Sequence, residues 1–240
     1  GGLNLYAFCG NNGADLFDLF GYDSSPYIIG IREPPRNNNL IKSTWNTEEE
    51  SLNAYLYWIG AVGNILAGHI LNMPDAANFL THFLMNSGTP IEIDFFRMNR
   101  ESSDAKRHLK YEIINAIKYA EKLSDSCSQR FIVMVTEKES NVQVWDNNWH
   151  YAVLNYTTWA RGNVQRNGNC FYMEWDFYFR DIYDWNPKSN DRGGLVTDKQ
   201  MAHLHRCGFA KEFEINGCQT LYIWWKKGER DLSKMKILGL

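Results

Sequence analysis

Five residues in the C-terminal half of this 240-residue chain carry the side chains that hydrolysis needs: Asp181, Tyr183, Asp184, His205 and Arg206. Two carboxylates can bind a divalent cation or take a proton from water. A histidine can protonate a leaving group, and an arginine can hold a phosphate bidentately. The surrounding pattern says which elements must place them. Cys170 to Trp185 reads CFYMEWDFYFRDIYDW. Alternation puts Phe171, Met173, Trp175, Phe177 and Phe179 on one face of a strand, and Tyr172, Glu174, Asp176, Tyr178 and Arg180 on the other. The same register sets Asp181 on the apolar face, next to Tyr183. A carboxylate there is costly unless paired, hydrogen-bonded or protonated, so either it has a buried partner or the strand ends at a cleft. Asp184 then points to the other face, or turns away as Asn186-Pro187 breaks the strand. Next, Thr197-Asp198 caps a short helix, Lys199 to Cys207, which Gly208 stops. Met201 and Leu204 face inward on it. His205 and Arg206 stand near its C-terminus, where helix carbonyls favour cations.

In order and type, these residues resemble the D-x-Y-D…H-R motif of the colicin M family. Asp181-Ile182-Tyr183-Asp184-Trp185-Asn186-Pro187 is near that family's D-x-Y-D-F-N. The resemblance implies a half-open β-barrel that cleaves the lipid II peptidoglycan precursor between prenyl chain and pyrophosphate. It also implies action from the periplasm and a divalent cation such as Mg²⁺, held here by Asp181 and Asp184. The chain departs from the pattern in one respect. Where the family has its H-R pair, this chain has Asn190-Asp191-Arg192, and His205-Arg206 comes further on. The other reading of the same residues is structural: Asp181 and Tyr183 as a satisfied pair at a barrel mouth, with His205 capping its helix.

A second resemblance lies at the start. Residues 1–22 read GGLNLYAFCGNNGADLFDLFGY. GGLNLYAF and the following GNN resemble the end of the core of Rhs (YD-repeat) proteins, which runs GG-x-N-L-Y-x-F, N-x-P and D-P-x-G-L. Asp18-Leu19-Phe20-Gly21-Tyr22 departs by having Leu19 where that family has a proline. The resemblance implies a hollow β-shell enclosing a variable C-terminal toxin, and self-cleavage in the region of Asp15, Asp18 and Tyr22. It implies a polymorphic toxin used against rival bacteria, secreted from its producer by a route such as type VI secretion. The partners it implies are the Rhs shell and a cognate immunity protein, with delivery to the periplasm or membrane of a target cell.

Composition limits the alternatives. The chain is 44% hydrophobic, enough for a sizeable core. A net charge of −3 gives no basic excess of the kind nucleic-acid binders carry, so nucleic acid is not a favoured partner. Five scattered cysteines (Cys9, Cys127, Cys170, Cys207, Cys218) form no CxxC pair, which argues against a disulfide scaffold or a zinc knuckle. His69, His82, His108 and His203 read as single helical histidines, and His150 as a packed strand histidine. No P-loop, GxGxxG, HExxH or GxSxG is present.

The remaining pattern predicts an α+β protein, with a helical N-terminal half packed on a twisted, mostly antiparallel C-terminal sheet. Residues 1–22 close the Rhs signature, 23–50 read as a linker, and 51–240 as the toxin domain, helical over 51–125 and sheet-rich over 126–240. Thr47-x-x-Glu50 is a capping box before the apolar run 51–71. Asn53, Asn64 and His69 interrupt that run, and Gly60, Gly63 and Gly68 weaken it, so it is either a buried core helix or a segment that inserts into or lies on a membrane. Asp75 to Met85 pairs with it as a helical hairpin. Residues 103–125 form an amphipathic helix. Strands are expected at 130–136, 141–145 and 149–159, with a turn at Arg161-Gly162, and a hairpin turning on Asn216-Gly217. Three activities follow as alternatives: a hydrolase of a lipid-linked substrate, a membrane-permeabilising toxin using helices 52–71 and 75–85, or a cytosolic nuclease or other enzyme toxin.

Overall fold

The computed structural model describes residues 26–36, 44–49, 52–127, 130–188 and 195–240. The Rhs-like stretch, with Asp15, Asp18 and Tyr22, lies outside the described residues. Among the described residues the protein is α+β, with six helices and an eight-stranded sheet. The helices are α1 (Leu52–Ile70), α2 (Pro74–Leu84), α3 (Phe95–Glu101), α4 (Ser103–Cys127), α5 (Asn147–Val153) and α6 (Asp198–Arg206). The strands are β1 (Tyr27–Ile29), β2 (Ile91–Glu92), β3 (Phe131–Thr136), β4 (Ser140–Gln143), β5 (Asn155–Asn167), β6 (Cys170–Tyr183), β7 (Phe213–Lys226) and β8 (Lys236–Leu238).

The sheet runs β1-β3-β5-β6-β7-β2, with β4 on β5 and β8 on β7. Every pairing is antiparallel except β2 with β7. Its ends do not join, so the sheet stays open instead of closing into a barrel.

The alternation in β6 sets the core. Phe171, Met173, Trp175, Phe177 and Phe179 are all buried, and the residues between them are half-buried. Helices cover that inner face. The stripe Leu109, Ile113, Ile117 and Ala120 of α4 is buried there, and Phe95 of α3 lies 5.3 Å from the Phe177 ring and 5.4 Å from Phe179. Helix α2 places Ala76, Phe79, Leu80 and Phe83 in the same core, so it is a core helix. Helix α1 packs on α2 and α6 through small buried residues, Ala54, Ala61 and Gly68. Among the described residues no helix is long and apolar enough to cross a membrane.

The structure corrects several local expectations. The segment expected as a strand at 149–159 opens as helix α5, and His150 lies in that helix with Nδ1 2.8 Å from the Val144 carbonyl oxygen. Arg161-Gly162 is not a turn, because β5 runs straight through it. A Cβ on Gly162 would lie 2.9 Å from Met173 Sδ, so this glycine makes room for core sulfur rather than bending the chain. Asn216-Gly217 is likewise mid-strand, paired with Arg180 and Phe179. There a Cβ would meet Ile93 and Phe95, each at 3.0 Å. Thr47 does not cap α1, which begins at Leu52; its backbone N–H instead donates to the Arg206 carbonyl. The 23–50 segment is not wholly a linker. Tyr27 is buried in β1 and its hydroxyl accepts the indole N–H of Trp175 at 3.0 Å.

Candidate functional site

Strand β6 outruns its neighbour. Thr157 to Arg180 is the last pair with β5, and beyond it Asp181 to Tyr183 pair with β7 alone. The gap left past the start of β5 is a cleft of about 170 Å³, lined among others by Asp181, Arg180, Arg36, Glu139, Tyr156 and Glu214. Residues 31–36, which form neither helix nor strand, bring Arg36 to this cleft from the N-terminal side. Glu33 pairs with Arg180 and Arg36 pairs with Glu214 at 3.0 Å. Arg180 also donates to Glu139 at 2.8 Å and lies 5.2 Å over the Trp159 ring.

Asp181 sits where the register put it, on the core-facing side at the strand end. The residue keeps some exposed surface, but its carboxyl group is enclosed by protein. Burial pushes its pKa well above the carboxylate range; a backbone bond from Ile182 opposes this and the charge of Asp184 adds to it. Asp184 is raised to about 6, again chiefly by burial, with Asp198 adding repulsion. Tyr183 is an aromatic core residue: its ring lies 5.0 Å from Phe213, 5.6 Å from Trp185, 5.9 Å from Phe83 and 6.2 Å from Phe79. Burial, then the charge of Asp181, raises its phenol.

Helix α6 forms as its sequence requires. Thr197 caps it and Gln200 completes a reciprocal capping box, while Gly208 takes the left-handed conformation just past its end (φ +77°). His205 and Arg206 occupy the last turn. Asp198, whose charge reaches Asp184, is the first residue, so the two ends stand ~10 Å apart along the axis. His205 is buried. Its Nδ1 accepts the Glu212 backbone N–H at 3.1 Å, and its Nε2 lies 3.6 Å from the Glu212 carboxylate. That bond ties the helix to the chain entering β7. Arg206 donates through Nε to Glu48 at 2.6 Å. The structure therefore sets Asp181, Tyr183 and Asp184 together at the end of β6, with Asp181 alone of the three lining the cleft, and engages His205 and Arg206 with other partners, Glu212 and Glu48. Residues 189–194, which include Asp191 and Arg192, lie outside the described residues.

Reasoning from sequence missed Arg36, Glu139, Arg180 and Glu214 as cleft residues. Arg180 was legible as an outward-facing residue of β6. Its partners were not, since Glu139 lies 41 residues away and Arg36 is 178 residues from Glu214. Such pairs need the sheet order first. Compared with models of known protein families, with curated proteins and with solved structures, the chain matches none.

Proposed function

We propose that this chain is the C-terminal toxin of an Rhs-type secreted protein, and that it hydrolyses a phosphoester or pyrophosphate bond of a lipid-linked peptidoglycan precursor at the Asp181 cleft. The observation that carries the reading is Asp181: a residue lining a cleft that Arg36 and Arg180 share, with its carboxyl group biased by burial toward the protonated form. A carboxyl kept neutral can give its proton to a leaving oxygen. Asp184, mostly ionised at neutral pH, can accept one from an attacking water. Arg36 and Arg180 offer planar donors for phosphate oxygens, which would compete with Glu214, Glu33 and Glu139 for them. For Mg²⁺, the donors fit in hardness. Asp184 offers an ionised oxygen at neutral pH, and Asp181 joins it on losing its proton. The cation would neutralise phosphate charge.

The rest of the reading follows the resemblance of residues 1–22. The shell is the encapsulating partner, an immunity protein protects the producer, and the toxin works in the periplasm of a target cell. A second reading, a membrane-permeabilising toxin, is favoured by α1. Leu52, Leu56, Ile59, Leu66 and Ile70 are exposed and fall within a stripe ~100° wide, with Ile70 at 83% exposure. The same stripe also suits an enzyme that must rest on a bilayer to reach a lipid-linked substrate.

A compartment experiment separates the readings. Residues 23–240 are expressed in a sensitive host with and without a secretion signal, and lysis is scored against membrane depolarisation. The hydrolase reading expects lysis only with the signal, and none for Asp181→Asn. Depolarisation within minutes that survives Asp181→Asn supports the second reading. Cytoplasmic killing with loss of DNA or RNA contradicts both.

A further inference from the structure

Away from the cleft, the C-terminal end of α6 carries a second chemical cluster. His203 and Cys207 are four residues apart, so they share one face of the last turn and its cap. Glu48 comes to them from the N-terminal side of the chain. The backbone N–H groups of Asn46, Thr47 and Glu48 donate to the carbonyls of His205 and Arg206, at 3.2, 2.7 and 2.9 Å, so this short segment is docked on the helix end. The Glu48 carboxylate is held at both oxygens. Arg206 Nε donates to Oε1 at 2.6 Å, and Oε2 lies 2.8 Å from His203 Nδ1. Cys207 Sγ is 3.8 Å from Nδ1 and 3.4 Å from Nε2 of the same ring. The Tyr57 ring meets the imidazole edge-on, with centroids 5.8 Å apart.

One carboxylate oxygen, one imidazole nitrogen and one thiol sulfur thus converge within 4.8 Å of one another. A thiol–imidazole–carboxylate set can also serve nucleophilic catalysis, but this one is not built for it. The sulfur stands almost equally far from both ring nitrogens, so it is not aimed along the Nε2 lone pair. It is 2% exposed as a residue, and it caps a helix C-terminus, where the helix dipole disfavours a thiolate.

We infer that Glu48, His203 and Cys207 bind one zinc ion, with an open fourth position for water, and that the ion clips the 44–49 segment to α6. Tetrahedral zinc with N and O ligands at ~2.0–2.1 Å and sulfur at ~2.3 Å sets ligand atoms ~3.3–3.6 Å apart. The observed 2.8 and 3.8 Å bracket that spacing and the carboxylate oxygen and sulfur lie within 4.8 Å of each other, so side-chain adjustments of up to about an ångström admit the metal. Borderline imidazole and soft thiolate select Zn²⁺ over Mg²⁺ or Ca²⁺. On binding, the thiol gives its proton to solvent and sulfur forms the bond to zinc. Arg206 holds the outer carboxylate oxygen and fixes the ligand's orientation, as partners of metal ligands commonly do.

The test uses the 240-residue chain, reduced and stripped of metal, titrated with Co²⁺ and then Zn²⁺. The expected result is a one-to-one thiolate-to-cobalt charge-transfer band that Zn²⁺ bleaches, and a Tm that rises with zinc. Cys207→Ser abolishes the band. Cys170→Ser and Cys218→Ser retain it. Arg206→Gln weakens binding ~10–100-fold. A stoichiometric band that persists in Cys207→Ser, or the absence of any band in the wild-type chain, overturns the inference. Should Cys207→Ser fail to fold, His203→Gln is read in its place: retention of the full band and affinity there also overturns it. The Asp181→Asn variant binds zinc normally, so the result stands apart from the hydrolase reading.

Discussion

His108 and Glu112 lie one turn apart on the same face of α4, both fully buried against the sheet, and burial moves their pKa values in opposite directions. His108 Nε2 is 2.9 Å from Thr158 Oγ1, and the Ser140 hydroxyl donates to Glu112 at 3.5 Å. Burial lowers His108 to about 3 and raises Glu112 to about 8, the latter against hydrogen bonds from Asn115 and Ser140. Both are neutral over a broad middle range of pH.

The pair predicts the shape of the stability profile. The folded state holds an extra proton at Glu112 from pH 4.5 to about 8, so that contribution is lost as pH rises toward 8. The unfolded state holds an extra proton at His108 from about 3 to 6.5, so that contribution is lost as pH falls toward 3. Between 4.5 and 6.5 the two slopes cancel. Urea denaturation is expected to give a plateau there, with decline on both sides. Glu112→Gln should remove the alkaline limb and turn the plateau into a rise with pH, because the His108 slope is then uncancelled, gaining about 2–5 kcal/mol at pH 9 with little change below pH 4.5. An unchanged alkaline limb in this variant would count against the buried carboxyl.

Gly217 predicts a contrast with its neighbour. A turn would make Asn216 and Gly217 both important for backbone reasons. In the strand, Gly217 matters because Ile93 and Phe95 press on it. Gly217→Ala should cost about 1–3 kcal/mol through overpacking. Asn216→Ala should stay within about 0.5 kcal/mol, as substitutions that disturb no packing do. Equal losses in thermal denaturation would contradict the continuous strand.

These two positions also show what was legible in advance. The alternation of β6 marked its core face and set Asp181 at the face's end, because a strand's period is local. The capping box at Thr197 and the stop at Gly208 marked α6 for the same reason. Asn216-Gly217 and Arg161-Gly162 look locally like turns. Their true role comes from what crosses the sheet at those points, Phe95 in one case and Met173 in the other. Of the strand expected over 149–159, the first residues instead complete helix α5, which docks on α2, where the Asn148 side chain accepts the Asp75 backbone N–H at 2.9 Å. The cleft's ion pairs join segments far apart in the chain, which no local pattern can display.

Tyr27 makes the N-terminal segment part of the folded unit. Tyr27→Phe removes the acceptor of the Trp175 indole N–H and leaves that buried donor unsatisfied, at a cost of about 1–3 kcal/mol. A chain beginning at residue 37 loses β1 as well and should be less stable still, whereas residues 23–240 keep it. Denaturant midpoints of the three proteins check this; equal midpoints would return residues 26–36 to the status of a linker.

The exposed stripe of α1 predicts a separable phenotype. Ile59→Glu and Leu66→Glu change residues that are each 62% exposed, so stability should shift by no more than about 0.5 kcal/mol. Binding to lipid vesicles, read by co-sedimentation, should fall at least ~10-fold if the stripe rests on a bilayer. Unchanged binding, or no binding by the wild-type chain, removes the stripe from the mechanism.

The most direct measurement concerns Asp181 itself. Purified protein is mixed with a prenyl-pyrophosphate-linked peptidoglycan precursor in detergent micelles with Mg²⁺, and release of the water-soluble pyrophosphoryl product is followed by chromatography. The wild-type chain should release it, and Asp181→Asn should be slower by about 10²–10⁴ with an unchanged circular dichroism spectrum. An Asp181→Asn protein that turns over at the wild-type rate, or a folded wild-type protein that leaves the precursor intact, would contradict the assignment.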